Sequence, residues 1–412
     1  MKVNMKKLLS AMLAMTMILS MAACSSEKTV QEENSTPAQT TTETPVATTP
    51  AETTPAEPEV SDEDVDGELI LDHEAELKYA NNFTLTYYKG GYKTFTVSSD
   101  EEHEFLLVPE GKSVPADLAD NMVVLQQPIN KLTFNSTGMV SVVDAINGLD
   151  NIATVGTDVD GWYIENVVKA MNDGSIVFSG SYKEPDFELL MSEGTQLVVD
   201  TTMLNNNPEV MDKYNELGIP FIVEQSSKEG HPLGRVEWVK LLAAIMNLDE
   251  EAETYFEEQV KKVQAVENST KCGKTVAMFF MSSDGATVYA RNAGDYMATM
   301  IGNAGGDYIM ADVGVDKTGN AKMSMEDFYA TCGQADVIFY LSYSDLFATK
   351  EEMIGFDPIF ADFKAVQEGN VYLTSDSFTQ STAAIATIIE NMHTVLNDSS
   401  VTETETLIKL GE

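Results

Sequence analysis

The stretch HPLGRVEW, residues 231–238, brings a histidine, an arginine, a glutamate and a tryptophan together in a chain with four histidines and two tryptophans. Side chains of these types can ligate a metal, transfer a proton, or bind a ligand through charge and stacking. His231 has no spaced partner of the kind that metal motifs contain. We therefore predict no metal site in this stretch.

The same stretch also begins a helix. A proline and a glycine at its second and fourth positions mark a turn, and the apolar residues that follow keep helical spacing as far as Met246. Glu237 and Trp238 are therefore assigned to the helix. His231 and Arg235 stand at the mouth of the preceding loop, where we predict that they contact a ligand. A capping or packing role is the alternative.

Arg291 and the loop DVDGWYIE supply further candidates for ligand contact. Arginine grips carboxylates bidentately, and Arg291 is one of very few arginines in the chain. Trp162 and Tyr163 lie in a glycine-containing loop, where aromatic rings can stack on a planar ligand. The alternatives are a salt bridge to one of the many acidic residues for Arg291, and packing beneath the loop for the two aromatic residues.

Motifs of the common enzyme classes are absent from the sequence. It contains no HExxH, no GxSxG, no P-loop and no dinucleotide-binding glycine motif after a strand. His393 falls on the last predicted helix, where a structural role is expected. Cys272 and Cys332 are expected to be isolated thiols, although one disulfide is arithmetically possible. We predict no catalytic residues, no metal site and no cofactor.

The beginning of the chain has the pattern of an export signal. Three lysines precede the apolar segment LLSAMLAMTMILSM, which is too short for a comfortable membrane span. We predict a signal peptide over residues 1–23. The SMAAC sequence resembles a bacterial lipobox, in which the cysteine, here Cys24, is lipidated; an uncleaved anchor helix is the alternative. Residues 24–66 are rich in serine, threonine, proline and acidic residues and predict a disordered tether.

Two α/β lobes are predicted beyond this tether. Alternating aromatic and β-branched residues predict a β-rich segment over residues 67–127, packed on the N-terminal lobe. Strands and helices then alternate over residues 128–248 and again over residues 268–412, which is typical of parallel-type central sheets covered by helices. One long helix, residues 249–267, joins the lobes. The predicted fold class is therefore α/β.

The charge of the chain excludes two classes of partner. Its 25 basic and 66 acidic residues give a net charge of -41. This charge repels nucleic acids and anionic lipid headgroups, so neither is expected to bind the protein directly.

Several segments, taken in order, resemble the substrate-binding lipoproteins of ABC importers for iron-siderophores, haem and cobalamin, the class III periplasmic binding proteins. The matching segments are EPDFELLMSEGTQLVVD, NELGIPFIVE, EWVKLLAAIMNLDEEAETYFEE, IGNAGGDYI, MSMEDFY and FKAVQEGNVYLT. The resemblance covers roughly residues 128–396. Two features depart from the family pattern: FNSTGM stands where the family has SP-TE, and the β-rich segment is additional.

The resemblance implies roles for particular residues. One glutamate on each lobe, by position Glu188 and Glu326, is expected to dock on arginines of a membrane permease. The ligand is expected between the lobes, at the carboxyl ends of the strands, where an arginine could hold a negatively charged iron chelate. The residues expected to bind it are Asn135, Ser136, Trp162, Tyr163, Tyr182, His231, Arg235, Arg291 and Phe378.

We therefore expect an extracytoplasmic solute-binding lipoprotein of an ABC importer that captures an iron-siderophore, haem or corrinoid. It is expected to be a monomer, held on the bacterial cell membrane only by its lipid. One alternative is the same architecture binding another small organic or metal ligand. The other is a chelatase-like enzyme in which His231 acts with Glu224 or Glu237, although a lipobox and a tether argue against it.

Overall fold

The computed structural model describes residues 65–343 and 346–411. The predicted signal peptide, Cys24 and nearly all of the predicted tether lie outside these residues. Within the described ranges, no helix is both long and apolar enough to cross a membrane.

A five-stranded sheet, here called the N-terminal sheet, forms most of the predicted β-rich segment. Its strands are β1 (Leu71–Glu74), β2 (Phe83–Tyr88), β3 (Lys93–Val97), β4 (Asp100–Val108) and β5 (Met122–Gln126). They pair in chain order, antiparallel except for the parallel pair β4 and β5. The chain turns between β2 and β3 at KGG, where Gly90 and Gly91 have φ of 77° and 86°. These left-handed angles favour glycine, which explains the hairpin predicted here.

The N-terminal lobe contains a parallel sheet of five strands in the order β12-β11-β6-β7-β8. The strands are β6 (Leu132–Phe134), β7 (Ile152–Val155), β8 (Val177–Phe178), β11 (Leu197–Asp200) and β12 (Phe221–Val223). A short hairpin of β9 (Gly180–Ser181) and β10 (Glu184–Pro185) follows β8. The helices are α1 (Thr137–Ala145), α2 (Glu165–Asp173), α3 (Phe187–Glu193), α4 (Pro208–Leu217) and α5 (Pro232–Met246).

A single helix of 19 residues, α6 (Asp249–Glu267), leads from this lobe to the next. Three acidic residues in its first turn complement the positive end of the helix dipole. It packs between α5 and the final helix of the chain. The interlobe helix is therefore in contact with a helix of each lobe.

The C-terminal lobe contains a mixed sheet in the order β16-β14-β13-β17-β18-β19, with β15 beside the start of β13. The strands are β13 (Thr275–Met281), β14 (Val288–Arg291), β15 (Asp307–Tyr308), β16 (Asn320–Met323), β17 (Val337–Tyr340), β18 (Val371–Thr374) and β19 (Leu407–Lys409). The helices are α7 (Tyr296–Asn303), α8 (Met325–Cys332), α9 (Lys350–Phe356), α10 (Lys364–Gln367) and α11 (Ile385–Asn397).

The predicted architecture is confirmed: two α/β lobes with parallel central strands, one long helix between them and a β-rich N-terminal segment. The sequence did not reveal that β14 pairs antiparallel with both β13 and β16, or that β19 pairs antiparallel with β18. Cys272 and Cys332 are free thiols. The Nδ1–H of His393 donates to the carbonyl of Ala304, which is the structural role expected of it.

Two buried carboxylates hold the chain just before β2 against α5. Glu237 accepts the backbone N–H groups of Lys78, Tyr79 and Ala80 at 2.8 to 3.0 Å. Glu229 accepts those of the next two residues and the indole N–H of Trp238. Since buried carboxylates are tolerated only when their oxygens are hydrogen-bonded, these contacts fix the N-terminal sheet to the N-terminal lobe.

We expect Glu237→Ala to lower the free energy of unfolding by about 2–3 kcal/mol, because three backbone N–H groups, one buried and two partly buried, lose their acceptor. The matched control is Glu253→Ala, since Glu253 is 53% exposed and its carboxylate lies 3.5 Å from the Lys240 ammonium. That change should cost less than about 1 kcal/mol. Urea unfolding of both variants measures the difference, and equal losses would contradict the role given to Glu237.

Candidate functional site

The two lobes meet where the loops after the strands of the N-terminal lobe face the C-terminal lobe. The carbonyl of Gly230 accepts the Thr299 hydroxyl at 3.0 Å, and a side chain at Gly230 would lie 3.3 Å from the carbonyl of Gly294. Farther along the same boundary, the backbone N–H of Tyr163 donates to Gln380. These contacts define the interlobe cleft on which the candidate site residues can be placed.

The cleft contains the only two arginines of the chain. Arg235, near the start of α5, places its guanidinium 4.3 Å from the ring centre of Tyr296 and donates to the Thr382 hydroxyl. Arg291, at the end of β14, donates to the hydroxyl of Tyr343 and lies near the Phe280 ring. Both guanidinium charges act on the Tyr343 hydroxyl, so the two arginines share one neighbourhood.

Neither arginine forms an ion pair with a carboxylate anywhere in residues 65–343 and 346–411. The Nε atoms of both are buried and have no hydrogen-bond partner in those residues. The salt bridge considered for Arg291 is therefore not formed within them. Two unpaired guanidinium groups in a chain of net charge -41 make this cleft suited to an anionic ligand.

Large apolar side chains remain exposed near the same cleft. Tyr163 is 54% exposed and follows β7, and Tyr343 is 41% exposed and follows β17. Val315, in the loop against Gly294, is exposed as well. Apolar surface beside two arginines suits a ligand that combines negative charge with apolar or aromatic parts.

Polar residues cluster at the carboxyl ends of β6, β11 and β12 in the N-terminal lobe. Asn135 donates its side-chain amide to the Asp200 carboxylate at 2.6 Å. Ser136, the N-cap residue of α1, donates its hydroxyl to Glu224 at 2.8 Å. Both predicted ligand residues are therefore already bonded to buried carboxylates, which fix their orientation.

Burial raises the pKa of Asp200 to about 7, and the neighbouring Glu224 carboxylate adds to this shift. Hydrogen bonds from Asn135 and from the Thr201 N–H oppose it without cancelling it. A raised pKa means that the folded protein holds a proton here that the unfolded chain has released. The contribution of Asp200 to stability is therefore greatest below the unfolded pKa and declines as the pH rises toward 7.

We expect Asp200→Asn to remove this pH dependence. Between pH 5 and pH 8 the parent should lose about 2 kcal/mol of stability relative to the variant, because only the parent must ionise a buried carboxyl group. Denaturant unfolding of both proteins at the two pH values measures this difference. The other titrating groups contribute equally to the parent and the variant, so their contributions cancel. A parent-minus-variant difference that is the same at both pH values would contradict the raised pKa.

The remaining predicted ligand residues fall into exposed and buried groups. Tyr163 is exposed, and Tyr182 is partly exposed in the β9–β10 hairpin with Lys183 over its ring. Trp162 is buried, with its indole N–H donating to the Thr157 carbonyl, which is the packing role left open for it. Phe378 is buried between the lobes and lines a small cavity together with Arg235.

His231 is engaged with structure on two sides. Its Nδ1 accepts the N–H of Leu233 as the N-cap of α5, and its ring stacks on Tyr79 at 4.5 Å. Burial lowers the pKa of His231, which favours the neutral ring that such a cap requires. Capping and packing, the alternative considered for this residue, are thus the contacts that it makes.

The partners that a chelatase-like mechanism would require of His231 are engaged elsewhere. Glu237 is fully buried against the chain before β2, and Glu224 accepts from the hydroxyl of Ser136 and the N–H of Ser226. Nothing in these contacts points a proton donor and acceptor at a shared substrate.

Glu188 and Glu326 occupy equivalent positions in the two lobes. Each is exposed and is the second residue of a helix, α3 or α8. The N-caps Asp186 and Ser324 accept backbone N–H groups and fix the first turns of these helices. The two carboxylates are therefore presented on short, capped helices, one on each lobe.

Sequence reasoning missed three residues at the cleft. Tyr343 follows β17 directly, so the rule that placed ligands after strands could have found it. Tyr296 lies under Arg235 as the first residue of α7, and Gln380 reaches across the lobes from a 3-10 turn. No local pattern marks either residue, because their partners lie far away along the chain.

The lobes are closed on each other at Arg235. The cavity that Arg235, Tyr296 and Phe378 line there has a volume of about 10 Å³. That space accommodates no more than a water molecule. A small-molecule chelate can therefore reach this part of the cleft only if the lobes separate.

Comparison with known families gives one match over much of the chain. The sequence model described as periplasmic binding protein matches residues 138–377. An uncharacterized lipoprotein of Methanocaldococcus jannaschii is 31% identical over 332 residues, which is 74% of this chain and 77% of the relative. A second uncharacterized lipoprotein of that organism is 25% identical over 317 residues, which is 73% of this chain and 77% of that relative.

Solved structures with a similar fold include haem- and siderophore-binding proteins. The periplasmic haem-binding protein HutB of Vibrio cholerae has a TM-score of 0.52 at 14% identity, covering 65% of this chain and 98% of its own. RhuT, a periplasmic haem-binding protein from Roseiflexus sp. RS-1, has a TM-score of 0.52 at 14% identity, covering 66% and 99%. The petrobactin-binding protein YclQ of Bacillus subtilis has a TM-score of 0.52 at 15% identity, covering 65% and 92%. At these identities the likeness concerns the fold alone.

Proposed function

This chain belongs to the periplasmic binding protein family, and from that premise we propose that it captures an anionic metal chelate in the interlobe cleft. The proposed ligand class is an iron-siderophore, a haem or a corrinoid with acidic side groups. The protein then delivers its ligand to the permease of an ABC importer. It acts as a solute-binding protein and not as an enzyme.

The observation that carries the proposal is the placement of the arginines. Both arginines of the chain are in the cleft, and neither is paired with a carboxylate in the described residues. A buried hydrogen-bond donor without a partner lowers the stability of the folded protein. A bound anion that accepts from these donors would offset that loss. Two arginines from opposite lobes would also hold the lobes together around one anion.

The apolar residues near the arginines support the chelate class in particular. Tyr163 and Tyr343 expose aromatic rings on opposite lobes, where a planar or macrocyclic ligand could stack. Similar structures of this fold bind haem or petrobactin according to their descriptions. We propose Asn135, Ser136, Tyr163, Tyr182, Arg235, Arg291 and Phe378 as the ligand-binding set, with Arg235 and Arg291 dominant. Trp162 and His231 are left out of the set, because packing and helix capping occupy their side chains.

Two further assignments complete the proposed mechanism. Glu188 and Glu326 dock on basic pockets of the permease, one for each lobe, and so set the orientation of delivery. Residues 1–23 are removed, Cys24 is lipidated, and residues 24–66 tether the body, a monomer, to the outer side of the cytoplasmic membrane. The lipoprotein relatives support this anchoring.

A thermal-shift panel tests the ligand class. Ferric hydroxamate and catecholate siderophores, haem and cobalamin are each added at rising concentration. The matching ligand should raise the Tm progressively, because a ligand at 100 times its Kd stabilises the folded state by about 2.7 kcal/mol. Absence of a shift across the panel would contradict the proposed class, and turnover of a tetrapyrrole with metal would contradict the transport role.

A further inference from the structure

One segment of the C-terminal lobe makes a series of hydrogen bonds to the N-terminal lobe. Residues 376–384, here called the latch segment, follow β18 as two 3-10 turns, Asp376–Gln380 and Thr382–Ala384. They pack on α1 of the opposite lobe. A side-chain carbon at Gly138 of α1 would lie 2.6 Å from the Thr382 hydroxyl, so glycine permits this close approach.

Gln380 makes two of the bonds across the cleft. Its Oε1 accepts the Tyr163 N–H at 2.9 Å, and its Nε2 donates to the Gly161 carbonyl at 2.7 Å. The side chain is 6% exposed and therefore bridges the backbone on both sides of Trp162 in a nearly dry setting. The recipient loop is itself fixed, because the Trp162 indole donates to the Thr157 carbonyl.

The rest of the latch segment adds three more bonds. The Thr382 hydroxyl accepts from Arg235 at 3.2 Å, and the Ala383 N–H donates to the Ser141 hydroxyl at 3.1 Å. The Ala383 carbonyl accepts the hydroxyl of Tyr255, from the interlobe helix, at 2.6 Å. Of the three, the first also holds one of the two cleft arginines in place.

From these contacts we infer that Gln380 is a positioning residue that latches the lobes together and places Tyr163 at the cleft. Neutral hydrogen bonds contribute about 0.5–1.5 kcal/mol each, so the loss of two of them shifts the balance between closed and open lobes toward the open state. Because the cavity at Arg235 is too small for a chelate, ligand must enter through the opened state. The claim that ligand enters through the opened state rests on the proposed function. The claim that Gln380 latches the lobes does not depend on it.

Distances between spin labels on the two lobes, measured without ligand, test the latch. Exposed sites for the labels are Lys169→Cys on α2 and Lys322→Cys on β16. The parent for these measurements carries Cys24→Ser and Cys272→Ser. Cys332 is left in place, since it is fully buried and its pKa is raised by burial to about 12, which makes it unreactive.

The latch predicts that Gln380→Ala increases the longer-distance, open population on the order of tenfold. Gln380→Glu should open the lobes at least as much, because it keeps the size and the acceptor but turns a second oxygen toward the Gly161 carbonyl. If the alanine variant does not fold, the glutamate variant tests the latch by itself.

The matched control is Gln196→Ala. Gln196 also bridges backbone groups with both ends of its amide, those of Pro128, Asn130 and Lys131, but all within the N-terminal lobe. Its loss should leave the distance distribution unchanged. Parent-like distances in both Gln380 variants would overturn the latch, as would an equal shift in the Gln196 variant. A failed ligand panel would leave these results intact, so the two proposals fail separately.

Discussion

Replacing Arg235 and Arg291 together by glutamine will weaken binding of the stabilising chelate by about a thousandfold. Hydrogen bonds to charged groups contribute about 1.5–3 kcal/mol each, and every 1.4 kcal/mol is a factor of ten in affinity. The two arginines lie on opposite lobes but in one neighbourhood, so the double variant removes both arginine charges from the cleft. Each single variant should lose a smaller part.

Isothermal titration, supported by quenching of tryptophan fluorescence, measures this loss. Trp162 lies in the cleft loop, whereas Trp238 is buried in α5, so an iron chelate in the cleft should quench mainly the first. The matched control is Lys169→Gln with Lys322→Gln, which removes two positive charges from exposed positions, one on each lobe. An affinity within threefold of the parent in the arginine double variant would remove the basis of the proposed function.

A second large effect is expected at the permease. Glu188→Ala with Glu326→Ala should abolish uptake while leaving the Kd for the ligand unchanged. The physical reason is that two carboxylates at a fixed separation dock the loaded protein on the permease and orient it. Charged pairs at such an interface raise the rate of association and fix the relative position of the two partners. Both are second residues of exposed helices, remote from the arginines in the chain.

Uptake of radiolabelled ligand by whole cells, with binding by the purified protein measured in parallel, separates docking from capture. The chain supplies a close control in Glu209→Ala with Glu351→Ala. Glu209 on α4 and Glu351 on α9 are likewise exposed second residues of helices, one on each lobe. Normal uptake by the Glu188 and Glu326 double variant would refute the docking assignment, as would equal loss in the control.

Local sequence patterns predicted the architecture but not the strand directions of the second lobe. Apolar runs such as LVVD at β11 are buried in full, as expected of a strand covered on both faces. Arg291 was predicted to follow a strand of a parallel sheet. It is instead the last residue of β14, which runs antiparallel to β13. Apolar periodicity does not record strand direction, so this pairing could not be read from the residues.

The contacts that build the candidate site are mostly long-range. Gln380 bonds to residues more than two hundred positions earlier in the chain, and Glu237 reaches back to the segment before β2. Residue type alone gave better guidance for the arginines, because the chain contains only two of them. It gave poorer guidance for His231, whose ring is taken up by a cap and by Tyr79.

The central claim is that the interlobe cleft holds an anionic metal chelate through Arg235 and Arg291. Native mass spectrometry of the protein purified from its own cells, grown with little iron and then supplied with the ligand panel, tests it most directly. The parent should retain one small, anionic, metal-containing molecule that is lost on denaturation, and the arginine double variant should retain none. Equal retention by both proteins, or no bound chelate in the parent, would contradict the account.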